Sequence, residues 1–472
     1  GDGDGDPACT TLGCECDGSP GSCDNTLMCV DGVCAIFNCG NGNVDVDEDC
    51  DDGNRVDGDG CDDDCSFTQV PQLSAGGRHT CALIEGGRVR CWGEGALGIT
   101  GLGNVIDIGD DESPSASVDI PLPGAAISIE AGEGNVCALF DDDALRCWGL
   151  GASGQLGHGN NDSLGDDETH EALAAIDLGD PPDQYSAGGA HVCVRFATNE
   201  LRCFGRNADG QLGIGSNQNI GDNELPSSIG VITLGAPALA VAAGGDHSCA
   251  VTNDLELICW GRGGRGQLGY GNTTTFGNDN GESPSMAGIV DLYPASLPLG
   301  TTLEQVSLGK EHSCALFSSG DVLCWGRNDH GQLGQANTDD WGDDEGEAPS
   351  GLMPIDLGGS AVAIGAGLNH SCALLEDGDV RCWGLNDKGQ LGLGQMGVDK
   401  VGDDEAPSSV AAIDLGGPAI ELTVGWEHSC ARVGAQDILC WGDNPEGRLG
   451  YGHTNRIGDD ETPASAGAID LF

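Results

Sequence analysis

The stretch His370-Ser-Cys-Ala-Leu-Leu-Glu-Asp-Gly-Asp-Val-Arg-Cys-Trp-Gly384 decides the fold of this chain. Two aliphatic or β-branched runs flank Glu376-Asp-Gly-Asp379, and residues of that kind close turns with their own side chains or tolerate positive φ. The segment therefore reads as a β-hairpin with Cys372 opposite Cys382. Directly opposed residues at a non-hydrogen-bonded site lie about 4.5–5.5 Å apart between Cα atoms, which a disulfide accepts. The same spacing recurs in Cys81 with Cys91, Cys137 with Cys147, Cys193 with Cys203, Cys249 with Cys259, Cys314 with Cys324 and Cys430 with Cys440. Glu85-Gly-Gly87, Asp141-Asp-Asp143 and Ser318-Ser-Gly320 serve as further turns. Seven copies inside a unit of 56 to 65 residues mean one supersecondary unit repeated seven times. Seven cross-strand disulfides are expected, one per hairpin.

Composition agrees with an all-β, turn-dense chain. Of 472 residues 82 are Gly, hydrophobic residues make up 38% and aromatics 4%, and no stretch sustains a helical period. No run approaches the roughly 20 apolar residues of a membrane span. There is no apolar signal segment either, so the numbering is expected to begin after processing.

Fourteen of the 24 cysteines belong to the repeats and ten precede Ser66. Regularly spaced cysteine at this density points to an oxidising compartment: a secreted or cell-surface protein. Pairs separated by nine residues are poor zinc ligand sets. With 77 acidic against 18 basic residues the net charge is -59. Nucleic acid is thereby excluded as a natural partner, since phosphate neutralisation needs clustered Lys and Arg. Such charge strains a compact fold unless counterions gather on it.

Residues 1 to 8 form an acidic, glycine-rich tether, similar to those behind the lipidated cysteine of bacterial surface lipoproteins. A lipid anchor upstream of residue 1 is compatible with it. Residues 9 to 37 hold six cysteines in a segment too short for a hydrophobic core, hence a disulfide module with 15 open connectivities. Residues 38 to 68 contain Glu48-Asp-Cys-Asp-Asp-Gly-Asn54 and Asp57-Gly-Asp-Gly-Cys61. This acidic four-cysteine segment resembles the myxobacterial-type cysteine-rich repeat of bacterial surface proteins. Asp51, Asp57 and Asp59 supply the hard oxygen that Ca2+ prefers, without the loop of an EF-hand.

Residues 69 to 472 carry the repeats. Each unit adds a His near the first cysteine (His79, His191, His247, His312, His370, His428), a Trp-Gly after the second (Trp92, Trp148, Trp260, Trp325, Trp383, Trp441) and Gly-Gln-Leu-Gly from Gly154, Gly210, Gly266, Gly331 and Gly389. In these motifs the chain resembles the RCC1 repeat family. The resemblance implies a seven-bladed β-propeller of four-stranded blades. Four departures stand out: Val136 in place of His, Phe204 in place of Trp, Gly95-Ala-Leu-Gly98 in blade one, and Arg448 in place of Gln. The terminal Gly467-Ala-Ile-Asp-Leu-Phe472 has no following hairpin and is expected to pair with blade one, closing the ring. Histidines and tryptophans present in nearly every repeat are read as holding turns and neighbouring blades together.

The acidic loops are the sharpest functional candidates: Asp110, Asp111 and Glu112; Asp166, Asp167 and Glu168; Asp222 and Glu224; Asp279 with Glu282; Asp343, Asp344 and Glu345; Asp403, Asp404 and Glu405; Asp459, Asp460 and Glu461. On one rim they would form a ring of carboxylates, offset by cations or by backbone amides. Structural Ca2+ is the expected cofactor on ligand type. No nucleophile stands with a base and an orienting group, and no phosphate-binding glycine loop is present. The leading expectation is a non-enzymatic binding or structural protein outside the cell, engaging another protein or copies of itself without a membrane span. Alternatives are a filament subunit joined through N-terminal module to propeller contacts, and an extracellular hydrolase or lyase on a propeller scaffold.

Overall fold

A computed structural model describes residues 27–30, 33–36, 44, 50–51, 60–62, 65–167 and 173–472. The chain divides into two compact units between Gln69 and Val70. In the first, Leu27–Val30 pairs antiparallel with Val33–Ile36 so that Cys29 stands opposite Cys34. Cys50 and Cys61 form a disulfide with Cα atoms 5.8 Å apart, and the Thr68 hydroxyl donates to Asp62 at 2.8 Å. Residues 1 to 8, most of the six-cysteine segment, Asp57 and Asp59 lie outside the described residues.

The second unit is built of seven antiparallel sheets, one per repeat. Their first strands are Gln72–Ala75, Ala126–Ala131, Pro182–Ala187, Ala238–Ala243, Leu303–Leu308, Ala361–Ala366 and Ala419–Val424. Ala75, Ala131, Ala187, Ala243, Leu308, Ala366 and Val424 from these strands line a narrow axial channel. The hairpin follows, and its cysteines face each other in every blade, as Cys372 faces Cys382. All seven expected disulfides are formed. Cys81 is joined to Cys91, Cys137 to Cys147, Cys193 to Cys203 and Cys249 to Cys259. Cys314 is joined to Cys324, Cys372 to Cys382 and Cys430 to Cys440. Their Cα separations of 4.0–4.1 Å are the close spacing of a non-hydrogen-bonded pair, a little tighter than expected for that site. The fourth strand is short. It is a single bridge, such as Gly93 to Ile108, in six blades and the two-residue Lys400–Val401 in blade six.

Adjacent first strands are zipped by side chains. The Gln72 amide brackets the backbone of Ile129 at 2.7 and 2.9 Å, and Gln305 does the same to Ile364 at 2.9 and 3.0 Å. Between blades six and seven the contact is apolar: a Cβ on Gly365 would stand 2.4 Å from Val424. Beyond these strands a ring of backbone bonds runs around the axis, from Gly77 N to Gly132 O through to Trp426 N to Gly76 O. Glycine is required there, because a Cβ at Gly425 would meet Gly76 O at 2.4 Å.

Closure differs in detail from a simple pairing with blade one. Ile469 N bonds Ile438 O in blade seven, whereas Asp470 O accepts from Ser115 N and Leu471 O from the Arg90 guanidinium in blade one. The tail thus bridges the last blade to the first. Two departures are also corrected by register. Asn135, opposite Gly149, occupies the His position of blade two, and Val136 sits one residue later, opposite Trp148. The Gly-Gln-Leu-Gly equivalent of blade one is Gly98-Ile-Thr-Gly101, since Gly101 N bonds Gly98 O as Gly157 N bonds Gly154 O. Counting forward from the Trp-Gly, rather than matching a second Leu-Gly, gives that alignment.

Candidate functional site: blade seams and perimeter loops

The recurring polar residues meet between blades. At the seam of blades three and four, Ser248 Oγ donates to Gln211 O at 2.9 Å, and Trp260 Nε1 donates to the same carbonyl at 2.9 Å. Because the single hydroxyl proton is committed, His191 Nε2 must be the donor in its 2.8 Å contact with Ser248 Oγ. His247 with Ser313, His312 with Ser371, His370 with Ser429 and His428 with Thr80 repeat this at 2.8–3.0 Å. All are fully buried. Burial pushes the imidazoles down, to about 3 for His247, His312 and His370 and about 4 for His191. Neutral, screened from solvent and occupied, they hold blades together and do no proton transfer.

Blade two breaks the pattern. Val136 offers no hydroxyl to His79, whose ring nitrogens find no hydrogen-bond partner among the described residues. At the next seam Asn135 stands where His would be, Val192 replaces Ser, and Phe204 cannot donate as Trp does. The polar contacts that remain lie nearer the axis, where Ser186 likewise accepts from Ala243 N at 3.1 Å in the next seam. Tyr185 Oη contacts Cys137 O and Ser128 Oγ, both at 3.2 Å, and Glu130 accepts from Ala187 N at 2.7 Å. Burial raises the Glu130 carboxyl to about 7. Glu130 and Tyr185 carry no repeat signature; the pointer in sequence was the simultaneous loss of His, Ser and Trp around them.

Each acidic loop begins on a glycine packed against the preceding blade: a Cβ at Gly109 would lie 2.4 Å from Gly447 O, and one at Gly458 the same distance from Gly389 O. The loop and the Gly-Gln-Leu-Gly motif recur together because they are the two halves of one inter-blade contact. Within blades one, six and seven the loop draws its carboxylates together: Asp110, Asp111 and Glu112; Asp403, Asp404 and Glu405; Asp459, Asp460 and Glu461, each trio within 4.8 Å. Burial, then the hydrogen bond and charge of neighbouring aspartates, raises Glu112, Glu405 and Glu461 to about 7.

The other loops differ. Glu168 lies outside the described residues, and among the described ones Asp166 and Asp167 join no such trio. Burial and then Asp222 raise Glu224. In the two longer loops a later glutamate turns back: Glu282 accepts from Gly277 N and Asp279 N at 3.0 and 3.3 Å, and Glu347 from Gly342 N and Asp344 N at 3.3 and 3.2 Å. Glu347, not Glu345, is therefore the partner of Asp343 and Asp344. The shared Gly-x-x-x-Gly-Glu of Gly277 to Glu282 and Gly342 to Glu347 was the missed signal. The trios stay within single loops, so among the described residues the carboxylates form separate clusters and not one continuous site. Asp51 is half-buried.

At the glycine-ring end of the axis the basic residues are gathered into ion pairs. Asp246 meets Arg206, Arg262 at 3.6 Å and Lys310 at 3.9 Å, Glu311 links Arg262 to Arg327, and Lys388 joins Glu427 and Asp443. Lys310 also stacks over Trp426 at 4.4 Å. Cations so paired are poor phosphate ligands. No helix among the described residues is long and apolar enough to cross a membrane.

Comparison with known proteins follows this architecture. The RCC1-like domain family matches residues 164–470 and the Regulator of chromosome condensation (RCC1) repeat matches residues 72–99; neither reaches residues 38 to 68. The chain is 30% identical over 390 residues to the ultraviolet-B receptor UVR8 of Arabidopsis thaliana, covering 81% of this chain and 79% of that one. It is 28% identical over 362 residues to the E3 ubiquitin-protein ligase HERC2 of Homo sapiens, covering 76% of this chain but 7% of that protein. Among solved structures, Prp20p of Saccharomyces cerevisiae superposes with a TM-score of 0.58 at 21% identity, covering 76% of this chain and 81% of that one. Human WBSCR16 gives 0.57 at 19%, with 77% and 86% covered. Seven sheets around one axis, a His–Ser–Trp seam and a propeller-length match to these proteins have one reading: the chain belongs to the RCC1-like family of seven-bladed β-propellers.

Proposed function

We propose that the chain is an extracytoplasmic, non-enzymatic protein-binding scaffold whose perimeter loops in blades one, six and seven take up Ca2+. The observation that carries the scaffold reading is the fate of the recurring polar side chains. Five of the six motif histidines bond to a hydroxyl on the next blade, and the sixth, His79, is buried without one. Each of these His–hydroxyl pairs is fully buried between blades, so none stands open to a substrate. The family name and the receptor-length match to UVR8 favour binding over chemistry, and the ligase HERC2 shares only a propeller-sized fraction of its length. Seven hairpin disulfides favour an oxidising compartment.

The Ca2+ part rests on three carboxylate trios whose glutamates are raised by burial and by their neighbours' charge, a penalty that a divalent cation relieves. Three carboxylates supply part of the roughly six to eight oxygens Ca2+ takes, so backbone carbonyls and water would complete each site. Alkylation of native, unreduced protein followed by mass spectrometry tests the compartment: all fourteen propeller cysteines should escape labelling in an extracytoplasmic fraction, and labelled thiols in a cytosolic fraction would overturn it. Calorimetric titration with Ca2+ should show uptake that falls stepwise in Asp110→Asn, Asp403→Asn and Asp459→Asn. No heat and no change in melting temperature would remove the cation from the proposal.

A further inference from the structure

The first strands of blades two to seven carry a β-bulge after their first residue. A bulged residue has no partner across the ladder and is re-aimed out of the sheet. In chain order the bulge residues are Ile127, Asp183, Leu239, Glu304, Val362 and Ile420, with Pro71 at the equivalent place in blade one. Ile127, Leu239, Val362 and Ile420 are 55, 47, 53 and 55% exposed. These strands surround the axis, so their bulges ring one mouth of it, at the end opposite the glycine ring.

The sequence around that mouth is uneven. Val362, Ile420, Pro71 and Ile127 come from the consecutive blades six, seven, one and two and make an apolar arc. Blades three, four and five put Asp183, Leu239 and Glu304 on the other side, so a single aliphatic residue stands there between two carboxylates. Asp183 is paired with Arg195, whereas Glu304 is exposed and has no ion pair among the described residues. The hairpin turns lie at this same end, since Asp141 N bonds Ala125 O and Glu376 N bonds Ser360 O. They surround the mouth with further carboxylates. Single exposed aliphatics are ordinary, but a contiguous arc rimmed by charge marks an interaction surface.

We infer that this mouth docks a basic amphipathic segment of a partner protein, with aliphatic side chains on the arc and a Lys or Arg reaching Glu304. A second copy of the chain is disfavoured as occupant, because it would bring its own net charge of -59 to an acidic rim. The inference rests on the scaffold reading and names the chemistry of the partner.

The probe is a fluorescent Leu/Lys amphipathic peptide titrated into the full chain at about 0.15 M salt, where exposed charges are screened beyond about 8 Å, beside Ser/Lys and Leu/Glu peptides of the same length. Saturable binding of the Leu/Lys peptide alone is expected. It should weaken by about tenfold in the triple variant Ile127→Asp, Val362→Asp, Ile420→Asp and by severalfold in Glu304→Lys, and be unmoved by Arg78→Glu at the opposite mouth. Melting temperatures of the variants report folding, and Val362→Ser replaces the triple variant if that one melts early. Equal binding of the Ser/Lys peptide, full binding by the folded triple variant, or no saturable binding would each overturn the inference. None of these outcomes touches the buried state of the motif histidines, the cysteine labelling or the Ca2+ titration, so failure here leaves the scaffold reading standing and removes only this choice of partner chemistry.

Discussion

The seam between blades three and four and the seam between blades two and three join the same kinds of strand by different means. The former relies on Ser248 and Trp260 both donating to Gln211 O, with His191 donating in turn to the Ser248 hydroxyl, deep in the blade. The latter has lost all three side chains and relies on Tyr185 and Glu130 beside the axis. Neither leaves its seam without polar contact. Buried polar side chains find partners across both of these seams by different means, whereas the seam of blades one and two holds His79 with neither ring nitrogen bonded among the described residues; the repeat motif is one solution among at least two.

Acidification should separate the two seams most strongly. The buried histidines have folded pKa values near 3 to 4 against about 6.5 when unfolded, so their contribution is present above about 6.5 and is withdrawn as pH falls below it. The slope approaches about 1.4 kcal/mol per pH unit for each histidine. Glu130 runs the other way. Its folded value of about 7 lies above the unfolded one, so its contribution is complete below about 4.5 and is lost as pH rises through 7. Between pH 7 and 5, amide protection factors, corrected for the intrinsic exchange rate at each pH, should therefore fall at the histidine seams before the seam of blades two and three; a uniform fall would dissolve the distinction.

Truncating Trp260 to Ala should cost about 3–5 kcal/mol. Trp260→Phe, which copies the Phe204 seam, should cost about 1–2 kcal/mol through the lost indole bond and volume. Denaturant titration measures both, and equal losses would mean that the ring Phe retains contributes nothing and that the lost indole bond accounts for the whole cost. Ser248→Ala and Tyr185→Phe should each cost about 1–2 kcal/mol, one in each seam. A large cost in one and none in the other would show that the seams are not equivalent. The smallest effect is a gain: Val136→Thr offers His79 the hydroxyl that Thr80 already offers His428, and should stabilise by about 0.5–1 kcal/mol. A lower melting temperature would mean that blade one and blade two are too close-packed to seat it.

The disulfides, the blade count and the acidic loops were legible because each is a local pattern repeated seven times. Errors of reading arose where repetition lapsed. Val136 stood out as the missing His, yet Asn135 occupies that position in the ladder. Gly95 to Gly98 imitated a motif that lies three residues further on. Glu345 continued the acidic run, but the longer loop brings Glu347 back to the Gly342 amide. In each case residue type was visible and register was not, since register depends on which backbone groups pair.

By itself the sequence determined the architecture, the hairpin disulfides and the repulsive charge, because spacing, turn chemistry and composition act along the chain. Which side chains meet across a seam, which carboxylates gather into trios, and which aliphatic residues a bulge leaves exposed were decided by the tertiary structure. The seam contacts join residues far apart in the chain, as His191 joins Ser248 across 57 positions. Their partners are chosen by the closure of the ring.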